Sequence, residues 1–422
     1  MTVFIIAFII LLVVGVPISI SIGASAVLGC MSLGYNMVVI GQKMVSGIDS
    51  FLLIAVPLFI LAGNLMNASK LTKKMFDTAK ELVGWIPGGL AHANVVASII
   101  FAGMSGSAVA DAGGLGAIEM EAMTTNGYDK EFSGAVTAAS SVIGPIFPPS
   151  IPLIIYGSVA SVQVERLFMG GVIPGLLMGA LLMVMILIFA ILRKYERHSF
   201  NLKRFIRQFL YSIPALGSPL IILSGFTLGW FTPTEASSIA VIYSLLVAIF
   251  VYRSLGWRDF LKCLKDSAIS SANTLFIIGT ATLFTYVMAM EGISRQMADF
   301  ILGVSSNPAV VLLVINVLLL LLGMVMEPGA ILTLMLPVLL PIANGLGLNL
   351  VHFGVMVVLN LMIGQVTPPF GVCLFVISDV NRVRLESLYK SILPFLIPLI
   401  ATLALVTYLP GIVTWLPNVL LG

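Results

Sequence analysis

Charge is what this sequence has least of. Only 9% of its 422 residues are Asp, Glu, Lys or Arg, where a soluble globular chain carries about 25%. With 59% of residues hydrophobic, most of the chain is expected in a lipid bilayer or in protein buried within it. Cysteine is scarce as well. Cys30, Cys263 and Cys373 stand far apart with no CxxC spacing, which argues against a disulfide framework and a structural zinc site. His92, His198 and His352 are equally scattered and suit isolated packing roles better than a ligand set. No GxxxxGK[ST] loop occurs, so this chain does not hydrolyse ATP. The N-terminal stretch from Met1 to Met31 lacks a basic leader and stays apolar for longer than a signal-peptide core. It reads as a retained membrane helix.

What the sequence has in abundance is apolar length. Apolar runs cover about 3–33, 51–66, 88–123, 131–160, 166–192, 211–229, 235–252, 270–290, 308–342, 352–378 and 391–418. Two of them, 88–123 and 308–342, are too long for one crossing and are interrupted by glycine, or by glycine and proline. A broken membrane helix leaves backbone groups unpaired, which is tolerable only where protein or a cavity surrounds them. Both are therefore expected to be re-entrant hairpins. On that topology Lys130 and the clusters Lys70–Lys80, Arg193–Arg207, Arg253–Lys265 and Arg382–Lys390 fall on one side, leaving Lys43, Arg166 and Arg295 on the other. This split of 18 to 3 makes the rich side cytoplasmic. The clusters are short and lie between spans, so they do not point to nucleic acid.

Laid one over the other, 103–174 and 323–394 align without a gap. Identity is low, 11 of 72 positions, but seven of the matches are Gly or Pro, the residues that set backbone shape. They include Gly103 with Gly323, Gly127 with Gly347, Gly144 with Gly364, and Pro148-Pro149 with Pro368-Pro369. An odd number of crossings separates the copies, so the second is inverted. The expected fold is an all-α polytopic membrane protein with an inverted repeat, 1–210 and 211–422. Each half holds a hairpin (about 88–123 and 308–342) and a broken helix (about 131–160 and 352–378). Inverted repeats with discontinuous helices are a mark of secondary transporters, with the site near mid-membrane.

Gly144-Pro-Ile-Phe-Pro-Pro-Ser150 and Gly364-Gln-Val-Thr-Pro-Pro-Phe370 each lie inside a run long enough to cross. A Pro-Pro pair removes two donors and disfavours helix before it, so each run is expected to split into half-helices. One such pair alone favours a structural kink with no ligand. Two at repeat-related positions favour ion sites, because freed carbonyls and hydroxyls suit a hard cation such as sodium and half-helix N-termini attract an anion. The first hairpin tip, Gly103-Met-Ser-Gly-Ser107, offers hydroxyls and free amides, and the second, Val325-Met-Glu-Pro-Gly329, offers an acid. An ionisable group inside an apolar segment, such as Glu327, is a functional candidate. Asp111 is unassigned, while Glu119 and Glu121 read as solvated helix ends. Asn64, Thr137, Ser140, Ser141 and Asn360 are open between lining a cavity and packing helices.

Three rival readings stand beside this one. Gly103-Met-Ser-Gly106 fits a GxSG pattern, which would make Ser105 the nucleophile of an intramembrane protease, with His92 or His352 as base. Nothing in the sequence pairs either histidine with Ser105. A channel would usually build its filter from identical subunits rather than from a repeat within one chain. A scaffold with no transport role leaves the polar, broken helices at matched depths without a reason.

These residues carry a resemblance. Gly103-Met-Ser-Gly-Ser-Ala-Val-Ala-Asp111, Gly144-Pro-Ile-Phe-Pro-Pro-Ser150, Thr232-Pro-Thr-Glu-Ala236 and Gly364-Gln-Val-Thr-Pro-Pro-Phe-Gly371 resemble the large membrane subunit of tripartite ATP-independent periplasmic (TRAP) transporters, in order and spacing, over essentially the whole chain. The resemblance implies a bacterial inner-membrane, sodium-driven elevator. A transport domain of hairpins and broken helices would slide through a scaffold of the remaining helices. It also implies two partners, a small four-helix membrane subunit and a soluble periplasmic substrate-binding protein. The cargo would be a small carboxylate such as sialic acid or a C4-dicarboxylate. Carried over residue by residue, a first sodium site would use Ser105, Gly144, Phe147 and Pro149, and a second Val325, Gly364, Thr367 and Pro369. Substrate would lie between the tips, near Ser105, Ser107 and Glu327. Thr232-Pro-Thr-Glu-Ala236 itself reads only as a turn between helices.

Overall fold

The computed structural model describes residues 2–69, 71–195, 201–304 and 307–422, without the side chains of Thr2, Val3, Leu71, Met104, Ser105, Leu302 and Val304. Lys70, Arg197 and His198, which belong to the basic clusters and histidines above, lie outside the described residues. The first half runs α1 (Thr2–Val13), α2 (Ile18–Ser32), α3 (Met37–Ile48), a 3-10 turn into α4 (Ala55–Ala68), α5 (Leu71–Val83) and α6 (Gly89–Ser105). Then come α7 (Ala108–Ala110), which passes through a π turn at Asp111–Leu115 into α8 (Gly116–Thr125), α9 (Lys130–Ser141), α10 (Ile151–Ala160) and α11 (Val164–Arg193). The second half runs α12 (Leu202–Thr227), α13 (Pro233–Leu246), α14 (Trp257–Met290), α15 (Ile293–Val304), α16 (Pro308–Val325) and α17 (Pro328–Gly345). It ends with α18 (Leu350–Gly364), α19 (Val372–Asn381), α20 (Leu385–Tyr408) and α21 (Gly411–Leu421). Among the described residues there is no strand, and eight helical segments are long and apolar enough to cross a membrane.

The repeat is visible in the backbone. In the register that pairs Gly103 with Gly323, the first residues of α3 and α14 coincide, Met37 with Trp257. So do those of α9 and α18, Lys130 with Leu350, and the last residues of α6 and α16, Ser105 with Val325. The turns before α9 and α18 are made by Gly127 and Gly347, both left-handed at φ +84° and +65°. Both Pro-Pro bonds, 148-149 and 368-369, are cis. Where the first half breaks at Asp49-Ser50 between α3 and α4, the second runs on as the 34-residue α14.

The two copies interlock. The returning arm of each hairpin packs against the far half of the other copy's broken helix: α8 and its π turn on α19, and α17 on α10. The glycines show how tightly. A methyl added at Gly354 would stand 2.3 Å from the Tyr156 ring, whose hydroxyl donates to the Leu350 carbonyl at 2.8 Å. A methyl at Gly364 would stand 2.7 Å from the Gly323 backbone, so the end of α18 and the last turns of α16 touch main chain to main chain.

Two sequence expectations fail. The single membrane helix read from Met1 to Met31 is two helices, because Gly15 is left-handed at φ +86° and Pro17 caps α2. At 12 and 15 residues, neither matches the roughly 20 needed to span. Glu119 is not a solvated end: it is 1% exposed, whereas Glu121 is exposed as read.

Candidate functional site

Both hairpin tips and both helix breaks meet at one cavity of about 470 Å³. Tip 1 contributes Gly106, Ser107 and Ala108, tip 2 Glu327, Pro328 and Gly329, and the breaks Pro145 and Gln365. Opposite them, α4 supplies Asn64 and Asn67, and α14 supplies Ser270, Asn273 and Thr274. That volume is within the range of small-molecule sites, about 300–1,000 Å³. Among the described residues the wall holds no Lys, Arg or His, and its one ionisable side chain is Glu327.

Local sequence explains the shape. Gly106 is left-handed at φ +58°, and a methyl there would stand 2.8 Å from the Pro149 carbonyl. Only glycine turns the chain at this point and still lets tip 1 lie on the first break. Ser107 then caps α7, accepting from Ala110 N at 3.4 Å. At the first break, Ser150 caps α10 by accepting from Leu153 N at 3.2 Å and donates to the Pro145 carbonyl. At the second, the Thr367 hydroxyl donates to Ile363 O at 2.7 Å, leaving its oxygen lone pairs available, and Tyr389 donates to the Pro369 carbonyl. Among the described residues no hydrogen bond ends on the carbonyl oxygens of Gly144, Phe147, Val325 or Thr367. Unmatched carbonyls beside a break are the donor set a hard cation takes.

Of the residues singled out by sequence, Ser107 and Glu327 line the cavity. Pro149 is within reach of tip 1, and Gly364 touches Gly323 just before Val325. The Ser105 side chain lies outside the described residues. Asp111 is 2% exposed, and its Oδ2 would stand 2.2 Å from a methyl on Gly144, so it presses on the first break. Asn64 lines the cavity and donates to Ser267 at 2.8 Å. The other open polar residues are helix packing. Asn94 donates to Thr137 at 2.8 Å and accepts from Ser140 at 2.6 Å, Ser141 donates to Ala138 O at 2.9 Å, and Asn360 donates to Asn316 Oδ1 at 2.8 Å.

Sequence reasoning missed Asn67, Ser270, Asn273, Thr274 and Gln365. The signals were present: Asn67 follows Asn64 at the spacing that shares a helical face, and Ser270-Ser-Ala-Asn-Thr274 is a polar patch in an apolar run.

Among the described residues the protease geometry is missing. His92 and Ser105 lie near opposite ends of one helix, α6, hence about 20 Å apart along its axis. His352 is engaged elsewhere, with Nε2 2.8 Å from the Val406 carbonyl.

Comparison with known proteins agrees with this architecture. The YdaH transporter of Alcanivorax borkumensis superposes with a TM-score of 0.62 at 14% identity, covering 87% of each chain, which is a likeness of fold. The large permease protein SiaM of the Vibrio cholerae sialic acid TRAP transporter is 42% identical over 422 residues, 98% of this chain and 97% of that one. The large permease protein DctM of the C4-dicarboxylate TRAP transporter of the same species is 34% identical over 435 residues, 98% and 96% of the two chains. These relatives are permeases and not enzymes. A family model for the DctM component of tripartite ATP-independent periplasmic transporters matches residues 5–412, and the chain belongs to that family.

Proposed function

We propose that this permease carries out sodium-coupled uptake of a small organic acid anion, of the sialic acid or C4-dicarboxylate class, across the inner membrane by an elevator motion. The observation that carries it is the cavity wall. A carboxylate entering a site whose one ionisable side chain, among the described residues, is Glu327 and whose described wall has no basic residue gains nothing from direct ion pairing. Its charge is met instead by the N-terminal ends of α10 and α17, which open at Ile151-Pro152 and Pro328-Gly329, and by co-bound cations. Sodium fits that role because, among the described residues, carbonyl oxygens without hydrogen-bond partners lie at both breaks. The first ion would use Ser105, Gly144, Phe147 and Pro149, the second Val325, Gly364, Thr367 and Pro369. Anion binding then favours cation binding and the reverse, which is coupling.

Sialic acid is the first cargo to test, since the relative named for it is the more similar of the two. Family membership supports two partners, a small membrane subunit and a periplasmic binding protein that delivers the acid. The test is radiolabelled uptake into proteoliposomes containing this chain and its small-subunit partner, with loaded binding protein outside. Uptake that requires both an inward sodium gradient and the binding protein is expected. Equal uptake with potassium replacing sodium sinks the coupling claim, and uptake of free acid without the binding protein sinks the tripartite one.

A further inference from the structure

On the face rich in Lys and Arg, α5 and the beginning of α12 enclose a separate cavity of about 420 Å³. Its walls are Lys74 and Glu81 from α5 and Arg204, Arg207, Gln208 and Tyr211 from α12. Three cations therefore face one carboxylate. Among the described residues none of the three lies in an ion pair. Lys74 is held instead over the Tyr211 ring, its Nζ 4.7 Å from the centroid. The walls are fixed by contacts that need no ligand. The hydroxyls of Thr78 and Ser212 join α5 to α12 at 2.7 Å, and Ser212 also donates to the Lys74 carbonyl at 3.3 Å. The pocket is preformed and, among the described residues, net positive: Glu81 is the one carboxylate in its wall against three cations, with Asp77 close enough to Lys74 to interact with its charge.

Its neighbours say what kind of anion it takes. Helix α12 is one of the segments able to cross the membrane. Interleaved with the basic residues on it, Leu202, Ile206, Phe209, Leu210 and Ile213 are exposed. The cations thus stand where an exposed apolar surface of a membrane-length helix begins. A free phosphate would satisfy the charge and leave that surface unused, whereas a phospholipid uses both, its phosphate among the cations and its acyl chains along α12. We propose that this pocket binds the headgroup of an anionic phospholipid of the cytoplasmic leaflet. Basic pockets between helices on the cytoplasmic side are built for such headgroups.

The test is native mass spectrometry of the full-length chain, purified in neutral detergent and titrated with phosphatidylglycerol, with phosphatidylcholine of the same acyl chains, and with phosphatidylglycerol plus inorganic phosphate. Retention of phosphatidylglycerol over phosphatidylcholine is expected. The R204Q/R207Q double variant should weaken it roughly thirty-fold, about fivefold for each cation removed near a lipid surface. Arg204 and Arg207 are both exposed, so the double variant should fold. Arg384→Gln, on the same side but away from the pocket, should leave retention unchanged. Equal retention of both lipids, or an unaltered double variant, overturns the proposal. Displacement of phosphatidylglycerol by inorganic phosphate at equal concentration overturns it in favour of a soluble anion.

Discussion

At the scale of single residues, the site depends on absent side chains as much as on present ones. Gly144 has no room for a methyl, since it would stand 2.2 Å from Asp111 Oδ2 and 3.3 Å from the Ser141 carbonyl. Gly144→Ala is expected to push the hairpin carboxylate and the first break apart. The cost is about 1–3 kcal/mol of stability, typical of overpacking. Uptake should be lost in vesicles where the protein is still inserted, and wild-type uptake by this variant would show that the contact is dispensable. Thr367 tests the second break differently. Its oxygen is available as a ligand while its proton is held by Ile363 O. Thr367→Ala should raise the sodium concentration for half-maximal uptake about tenfold, the worth of one contact to an ion, and Thr367→Ser should restore it. An unchanged sodium curve in the alanine variant removes Thr367 from the ion site.

At the scale of elements, what was legible in the sequence follows from which residues dictate backbone. Glycine and proline do so locally, so Gly127 and Gly347, the two Pro-Pro breaks and both hairpin tips were readable before any coordinates. Side-chain burial is not local. Thr137, Ser140 and Asn360 stay open in one dimension between lining a cavity and packing helices, and prove to be helix packing, because only the fold decides which face of α9 or α18 meets a neighbour. Glu119 was misread for the same reason. Helices α3, α5 and α15 fell outside the apolar runs because they are short and carry charge. Thr232-Pro-Thr-Glu-Ala236, which read as no more than a turn, is a helix start. Thr232 accepts from Glu235 N at 3.3 Å, Glu235 accepts from Thr232 N at 2.8 Å, and Thr234 donates to the Phe51 carbonyl at 3.0 Å. This capping box begins α13 and ties it to the approach to α4. Thr232→Val should therefore lower stability by about 1 kcal/mol, seen as a lower melting temperature in detergent, and leave the sodium concentration for half-maximal uptake unchanged. A shift in that concentration would give the segment a role in the transport cycle.

At the scale of the whole molecule, the question is which parts move in this inner-membrane permease. The cavity wall divides in two: tips and breaks on one side, α4 and α14 on the other. Under the elevator proposal the first group slides past the second. The boundary between α14 and hairpin 2 suits that motion. It holds an apolar gap of about 190 Å³ lined by Phe8, Phe284, Met288, Leu322, Met326 and Met335 among others. Methionine is unbranched and repacks readily, which lets one surface move over another at low cost. Thr285 donates to the Thr333 carbonyl across the same boundary at 3.1 Å, a bond that sliding must break and that is modest in its net worth, about 1 kcal/mol. Cysteines at Met288 and Met335 face this gap and lie outside the substrate cavity, so a crosslink between them cannot act by plugging it. The native cysteines are all buried and should react slowly. Joining the pair with a short bifunctional thiol reagent should stop uptake, while either single variant treated alike keeps most of its activity. If the protein is crosslinked to completion and still transports at the untreated rate, α14 and hairpin 2 do not move apart, and the elevator reading fails even where sodium coupling holds.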